Sequence, residues 1–74
     1  MHKLTKRQTA ILEAIRNYID QNHYAPTVRE VGQAVGLTSS STIMGHLERL
    51  RKKGFVTWEQ GRPRTLRVIE RPAG

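Results

Sequence analysis

The 74-residue sequence predicts an α+β domain, three helices followed by a two-stranded antiparallel β-hairpin, and three observations carry that prediction. Apolar residues recur at intervals of three and four as far as Leu50, the period of helices that each bury one face. Thr5-Lys6-Arg7-Gln8 and Thr27-Val28-Arg29-Glu30 both have the form of a capping box, in which the Thr and the Gln or Glu satisfy each other's free backbone donors at a helix start. After Gly54 the pattern turns to alternation, the period of strands.

The first helix begins at the Thr5 box, buries Ile11, Leu12, Ile15 and Ile19, and runs to about Gln21 or Asn22. Tyr24-Ala25-Pro26 breaks it, because proline disfavours helix in the residue before it. The second helix starts at the Thr27 box, and Val28, Val31, Ala34 and Val35 supply its buried face. Gly36 is its left-handed terminator, with Leu37 packing beneath. A third helix starts among Thr38 to Ser41 and runs to about Lys53, with a stripe of Ile43, Leu47 and Leu50 and a stop at Gly54. Phe55-Val56-Thr57-Trp58 and Thr65-Leu66-Arg67-Val68-Ile69 read as paired strands around the loop Glu59 to Arg64. Trp58 reads as core beneath this hairpin rather than as a stacking platform. Two short helices joined around a glycine are a helix-turn-helix signal, and the hairpin after them makes a wing. The expected organisation is a winged helix-turn-helix domain over residues 1–70 and a disordered tail at 71–74.

Composition narrows the partner. A chain of this length buries only about 60% of its unfolded surface and has little room for a deep catalytic cleft. There is no cysteine, hence no disulfide and no thiolate zinc site. The longest apolar run is three residues, which excludes a membrane helix, and a cytoplasmic, nucleoid-associated location is expected. The net charge is +7, distributed as +2 over residues 1–37 (five Lys+Arg, three Asp+Glu) and +5 over residues 38–74 (eight and three). Such a balance points to an anionic partner. The basic residues do not oppose a continuous apolar face, so nucleic acid is favoured over a membrane surface.

The third helix is where the charge pattern becomes informative. Ser39 to His46 carries no formal charge, although serine and glycine both disfavour helix. With Ile43, Leu47 and Leu50 inward, the outward face holds Ser41, Gly45, Glu48 and Lys52, flanked by Thr42, Met44 and Arg49. A recognition helix enters the major groove by its N-terminal residues. Short hydroxyls there can bond base edges or phosphates, a methyl from Thr42 or Met44 can touch a thymine methyl, and Gly45 permits close approach. The blander account has the serines as a loose cap and the glycine as an accident of packing.

Other residues sort by position. Arg49, Lys52 and Lys53 lie toward the far end of the helix, suited to phosphates, and Ser40 joins them at its start. Arg62 and Arg64 sit on the wing, where an arginine grips the backbone or enters a minor groove. Thr5 and Arg7, and Thr27 and Arg29, lie at helix starts, where phosphate contact and a solvated surface both fit. His46 reads as a half-buried packing residue or a phosphate donor. His2, His23 and His46 fall in three separate elements without metal-ligand spacing, and no carboxylate pair or phosphate loop is present. No enzyme, metal, cofactor or small-molecule ligand is expected.

Taken together, Leu4-Thr5-Lys6-Arg7-Gln8, Tyr24 to Gly32, Ala34-Val35-Gly36-Leu37, Ser39-Ser40-Ser41-Thr42, Gly45-His46-Leu47, Lys53-Gly54 and Pro63-Arg64 resemble the N-terminal DNA-binding domain of LexA-type repressors of the bacterial SOS response to DNA damage. The resemblance, closest to the Gram-positive version, covers Leu4 to about Ile69. It implies a palindromic operator of the GAAC…GTTC kind, with Ser39, Ser41, Thr42, Met44 and Gly45 facing bases and Arg64 near the DNA backbone or minor groove. Met44 departs from the more polar residue usual at its position. Family repressors also carry a C-terminal domain that dimerises them and cleaves its own linker. The expectation here is a DNA-binding fragment or a stand-alone regulator of phage or prophage type, possible as a homodimer on DNA. Two other readings of the basic face stay open: a protein-interaction winged helix, and a non-specific architectural DNA binder.

Overall fold

In the computed structural model, which describes residues 4–69, the expected elements follow in the expected order. They are α1 (Lys6–Asn22), α2 (Val28–Val35), α3 (Ser40–Lys52), β1 (Val56–Thr57) and β2 (Arg67–Val68). The strands form one antiparallel ladder, Val56 opposite Val68 and Thr57 opposite Arg67. The tail expected at 71–74 and the domain limit at residue 70 lie outside the described residues.

Both capping boxes form. Thr5 Oγ1 accepts from the Gln8 amide at 3.0 Å, and the Thr5 amide donates to Gln8 Oε1 at 3.1 Å. Thr27 and Glu30 repeat the exchange at 3.1 and 2.9 Å. Each box satisfies two helix-end donors that burial against the neighbouring helices would otherwise leave bare. Gln8 is itself buried, and its Oε1 also receives Lys53 Nζ at 3.3 Å, so α3 is tied at its end to the start of α1.

The turn between α2 and α3 is built on two glycines with different tasks. Gly36 closes α2 in the left-handed region at φ 76°, where a side chain is strained. Gly32 is buried, and a Cβ there would stand 2.8 Å from the Leu37 carbonyl oxygen and 3.3 Å from Ile43 Cγ1. Its missing side chain lets the turn and α3 close onto α2. The Leu37 amide then donates to the Gly32 carbonyl at 2.8 Å.

Ile11, Leu12 and Ile15 of α1, Val31 of α2, and Ile43, Leu47 and Leu50 of α3 meet Val56 and Leu66 in a single core. Ile19, Val28, Val35 and Trp58 pack at its edge. Trp58 is half-buried, with the Arg51 guanidinium 4.5 Å from its ring centroid, which agrees with a place beneath the wing.

Two expectations are corrected. Ala34 is exposed rather than buried, because α2 spans barely two turns and Gly32, not Ala34, lies against α3. The strands are two residues each, not the four and five that the alternation implied. Val56 with Trp58, and Leu66 with Val68, alternate because they lie in or against the core, and alternation records burial whether or not a ladder is made. One further bond, Ile69 amide to Phe55 carbonyl at 2.8 Å, extends the pairing past the ladder.

Candidate nucleic-acid interface

The exposed start of α3 is built by a weak cap. Ser39, in extended backbone, accepts the Thr42 amide on its Oγ at 3.3 Å, and the first backbone bond of the helix is Ile43 amide to Ser39 carbonyl at 3.2 Å. The Ser40 and Ser41 amides precede that bond, at the positive end of the helix dipole. Ser39, Ser40, Ser41, Thr42 and Gly45 are all exposed. A Cβ on Gly45 would meet nothing within 4 Å, so the fold gives no reason for glycine there. The patch is small, uncharged, and rich in hydroxyl and amide groups. Toward its far end the same helix turns cationic, with Arg49, Arg51 and Lys52 exposed in its last turn.

The residues expected to flank this patch divide into two groups. Arg29, Arg49 and Lys52 are exposed, and Arg62 has only a solvated 3.9 Å pairing with Glu59, worth little. Thr5 and Thr27 accept the capping bonds on their hydroxyl oxygens, which leaves each hydroxyl proton to donate outward. The second group is engaged with the domain itself or half-buried. Arg7 Nη1 donates to the Val35 carbonyl at 3.1 Å and so closes the C-terminal end of α2. Lys53 reaches Gln8, as described above. His46 is half-buried beside Leu47, and its Nδ1 is buried with no hydrogen-bond partner among the described residues. Met44 is half-buried and turned toward the wing.

Arg64 stands apart. Sequence reading sends its guanidinium to DNA, whereas in the structure it is engaged with the domain itself. Nη1 donates to Glu30 Oε1 at 3.0 Å and to the Ala25 carbonyl at 3.0 Å, with the Tyr18 hydroxyl at 3.4 Å. Nη2 donates to Glu30 Oε2 at 3.2 Å, which makes the ion pair bidentate. The guanidinium lies 5.0 Å from the Tyr24 ring centroid, and Tyr24 meets Tyr18 edge-on at 5.8 Å. The backbone of Arg64 is left-handed, φ 59°, unusual for a residue with a Cβ and held here by what the side chain grips. Arg64 is thus a latch between the wing and the N-terminal turn of α2.

Glu30 serves the cap and the latch at once. The Thr27 backbone amide, and then the Arg64 guanidinium, hold its carboxyl down to about 2 from an ordinary 4.5. A carboxyl depressed on folding contributes stability that is present above the unfolded value and lost as pH falls through the folded one. The melting temperature is therefore expected to decline between about pH 4.5 and 2. Glu30→Gln should lower it at neutral pH and remove that portion of the decline, as thermal melts by circular dichroism at a series of pH values would report. An unchanged acid limb in Glu30→Gln would refute the assignment.

Tyr18, Tyr24 and Glu30 were absent from the expected site. Glu30 was legible only as a capping residue, and nothing local in the sequence joins it to an arginine 34 positions away. Among the described residues, no group of three or more His, Cys, Asp or Glu side chains converges as a metal site, and no helix is long and apolar enough to cross a membrane.

Comparison with known proteins agrees with this geometry. Residues 1–65 match the family model described as the LexA DNA binding domain. The chain is 47% identical over 72 residues to the LexA repressor of Pelotomaculum thermopropionicum, covering 97% of this chain and 36% of that protein. It is 49% identical over 69 residues to the LexA repressor of Bacillus mycoides, covering 93% of this chain and 34% of that protein. The chain thus spans about a third of the length of the curated relatives it matches, and it aligns with their DNA-binding part.

Proposed function

This chain belongs to the family of LexA DNA-binding domains, and from that premise we propose that residues 1–70 form a sequence-specific reader of double-stranded DNA in a transcriptional repressor of the SOS response. One observation carries the reading: the uncharged, exposed start of α3, where Gly45 opens a space that the fold does not need, inside a surface that is otherwise basic. A helix surface of this kind suits the floor of the major groove, where short donors and acceptors meet base edges.

In this proposal Ser39, Ser41 and Thr42 present hydroxyls to bases, and Gly45 brings the helix axis close. Thr5, Thr27, Arg29, Ser40, Arg49, Lys52 and Arg62 hold phosphates. Arg64 contributes by fixing the wing, and His46 and Lys53 by supporting α3 from beneath. Two copies occupy the half-sites of a GAAC…GTTC-like palindrome in the cytoplasm, each reading one major groove. No catalytic step is assigned to these residues.

The test is fluorescence anisotropy with two labelled duplexes, the palindrome and the same bases scrambled, at two salt concentrations. The expected preference is about tenfold or more, equivalent to roughly 1.4 kcal/mol, and it should survive added salt. Ser41→Ala and Thr42→Ala should each lose about 1 kcal/mol or more on the palindrome and little on the scrambled duplex. Equal binding that collapses together in salt would leave charge as the whole interaction and favour the architectural or protein-partner readings.

A further inference from the structure

A cleft runs between the N-terminal turn of α2, the second turn of α3 and the base of the wing. Its apolar wall is Pro26, Val28, Met44, Trp58 and Leu66, and it encloses a cavity of about 160 Å³. Four polar residues line it, Thr27, Arg62, Arg64 and Thr65. Arg64 is engaged with Glu30 and Thr65 with the wing's own turn, which leaves the Thr27 hydroxyl and the Arg62 guanidinium to meet a ligand. Thr27 Oγ1 already accepts the Glu30 amide, so its proton is the part left to offer. Arg62 is exposed, and its 3.9 Å pairing with Glu59 yields readily to a stronger anion.

Apolar walls with a cation and a hydroxyl donor at the rim match a chemically mixed ligand, one with a C–H face flanked by anions. The cavity is on the order of the 150 Å³ that accommodates a single benzene ring in a protein interior, so it suits one small ring rather than one methyl group. Met44 is placed accordingly. At about 100° per residue it lies one step around α3 from Gly45, between the outward line of Ser41 and Gly45 and the buried line of Ile43 and Leu47. The base edges that the outward line would meet are thus out of line with the Met44 side chain, which faces the wing.

Resting on the DNA-binding reading above, we propose that this cleft seats one deoxyribose of the DNA strand that passes between α3 and the wing. Met44 packs on the C–H face of the sugar, and Thr27 and Arg62 donate to the phosphates on either side. Met44 is then a register-setting contact with the backbone, and it carries no base preference of its own.

The test uses the same two duplexes, a third in which each thymine of the palindrome is replaced by deoxyuridine, and the variants Met44→Ala and Met44→Leu. Melting curves first establish that both variants fold, and Met44→Leu keeps an apolar contact should Met44→Ala not fold. Met44→Ala is expected to weaken binding to the palindrome and the scrambled duplex alike, by about threefold to tenfold. Met44→Leu should restore most of that loss, and loss of the thymine methyls should leave the Met44→Ala factor unchanged. A loss confined to the palindrome and reproduced in wild type by deoxyuridine would make Met44 a thymine reader and overturn the proposal. Undiminished binding by Met44→Ala to both duplexes would also overturn it. Tight sequence-specific binding together with either of those results would leave the DNA-binding reading standing. Failure of the wild type to bind any duplex would remove both.

Discussion

Gly45→Leu is expected to make the domain more stable and to abolish its specific DNA binding. Position 45 is exposed, and a Cβ placed there meets no atom within 4 Å, so a side chain enters open solvent. Replacing glycine inside α3 removes a helix penalty of about 0.5–1 kcal/mol, and thermal unfolding should shift upward accordingly. On DNA the same side chain occupies the space through which the helix approaches the groove floor. Losing even two good base contacts at about 1–3 kcal/mol each weakens the palindrome by roughly thirtyfold or more. Melting curves and anisotropy on the same preparation decide the matter. A folded Gly45→Leu protein that still binds the palindrome within about threefold of wild type would refute the approach of α3 by this face.

Leu47→Ala should act through the opposite side of the same helix. Leu47 is fully buried in the core, between the other residues that α3 turns inward and those of α1 and the wing. Truncating a buried leucine costs about 2–5 kcal/mol, through lost transfer energy and the cavity left behind. At about 0.05–0.15 kcal/mol per residue, a domain of this length holds only a few to roughly ten kcal/mol in total. Leu47→Ala should therefore be largely unfolded at 37 °C or melt far below wild type, and DNA binding should fall in proportion to the folded fraction. The pairing is diagnostic: position 45 separates binding from folding, and position 47 cannot. A melt of Leu47→Ala within a few degrees of wild type would contradict the packing described here.

Much of this architecture is written locally in the chain. Thr5 with Gln8, and Thr27 with Glu30, are caps that a reader can find because both partners lie within four residues. Gly36, Gly54 and the period of Ile43, Leu47 and Leu50 are likewise short-range. The misreadings share a cause in longer-range geometry. Alternation marked Val56 and Trp58, and Leu66 and Val68, as the residues in or against the core, yet said nothing of how many would pair, so the strands were drawn too long. Ala34 fits the stripe of α2, but on so short a helix the angle of packing decides, and it places Gly32 inward instead. Arg64, Arg7 and Lys53 look alike in a sequence, as basic residues on a basic protein. Only folding shows that their side chains hydrogen-bond to Glu30, the Val35 carbonyl and Gln8. The start of α3 stands out in the sequence for another reason: its composition is poor for a helix, and the structure offers Gly45 no packing to explain it.

The brevity of the wing's ladder has a consequence for how such a domain can change over generations. The hairpin's position rests on Arg64 and on Thr65, whose Oγ1 accepts the Glu59 amide at 2.8 Å and lies 2.9 Å from the Arg62 carbonyl it can donate to. Gln60, Gly61, Arg62 and Pro63 at the tip are exposed. The side chains of Gln60 and Pro63 can therefore drift or lengthen while the anchor stays fixed, whereas Gly61, left-handed at φ 77°, is held to glycine. The first turn of α3 has the same freedom, since its outward residues leave the core untouched. A lineage can thus retune what the domain reads at two separate places without refounding the fold that holds them.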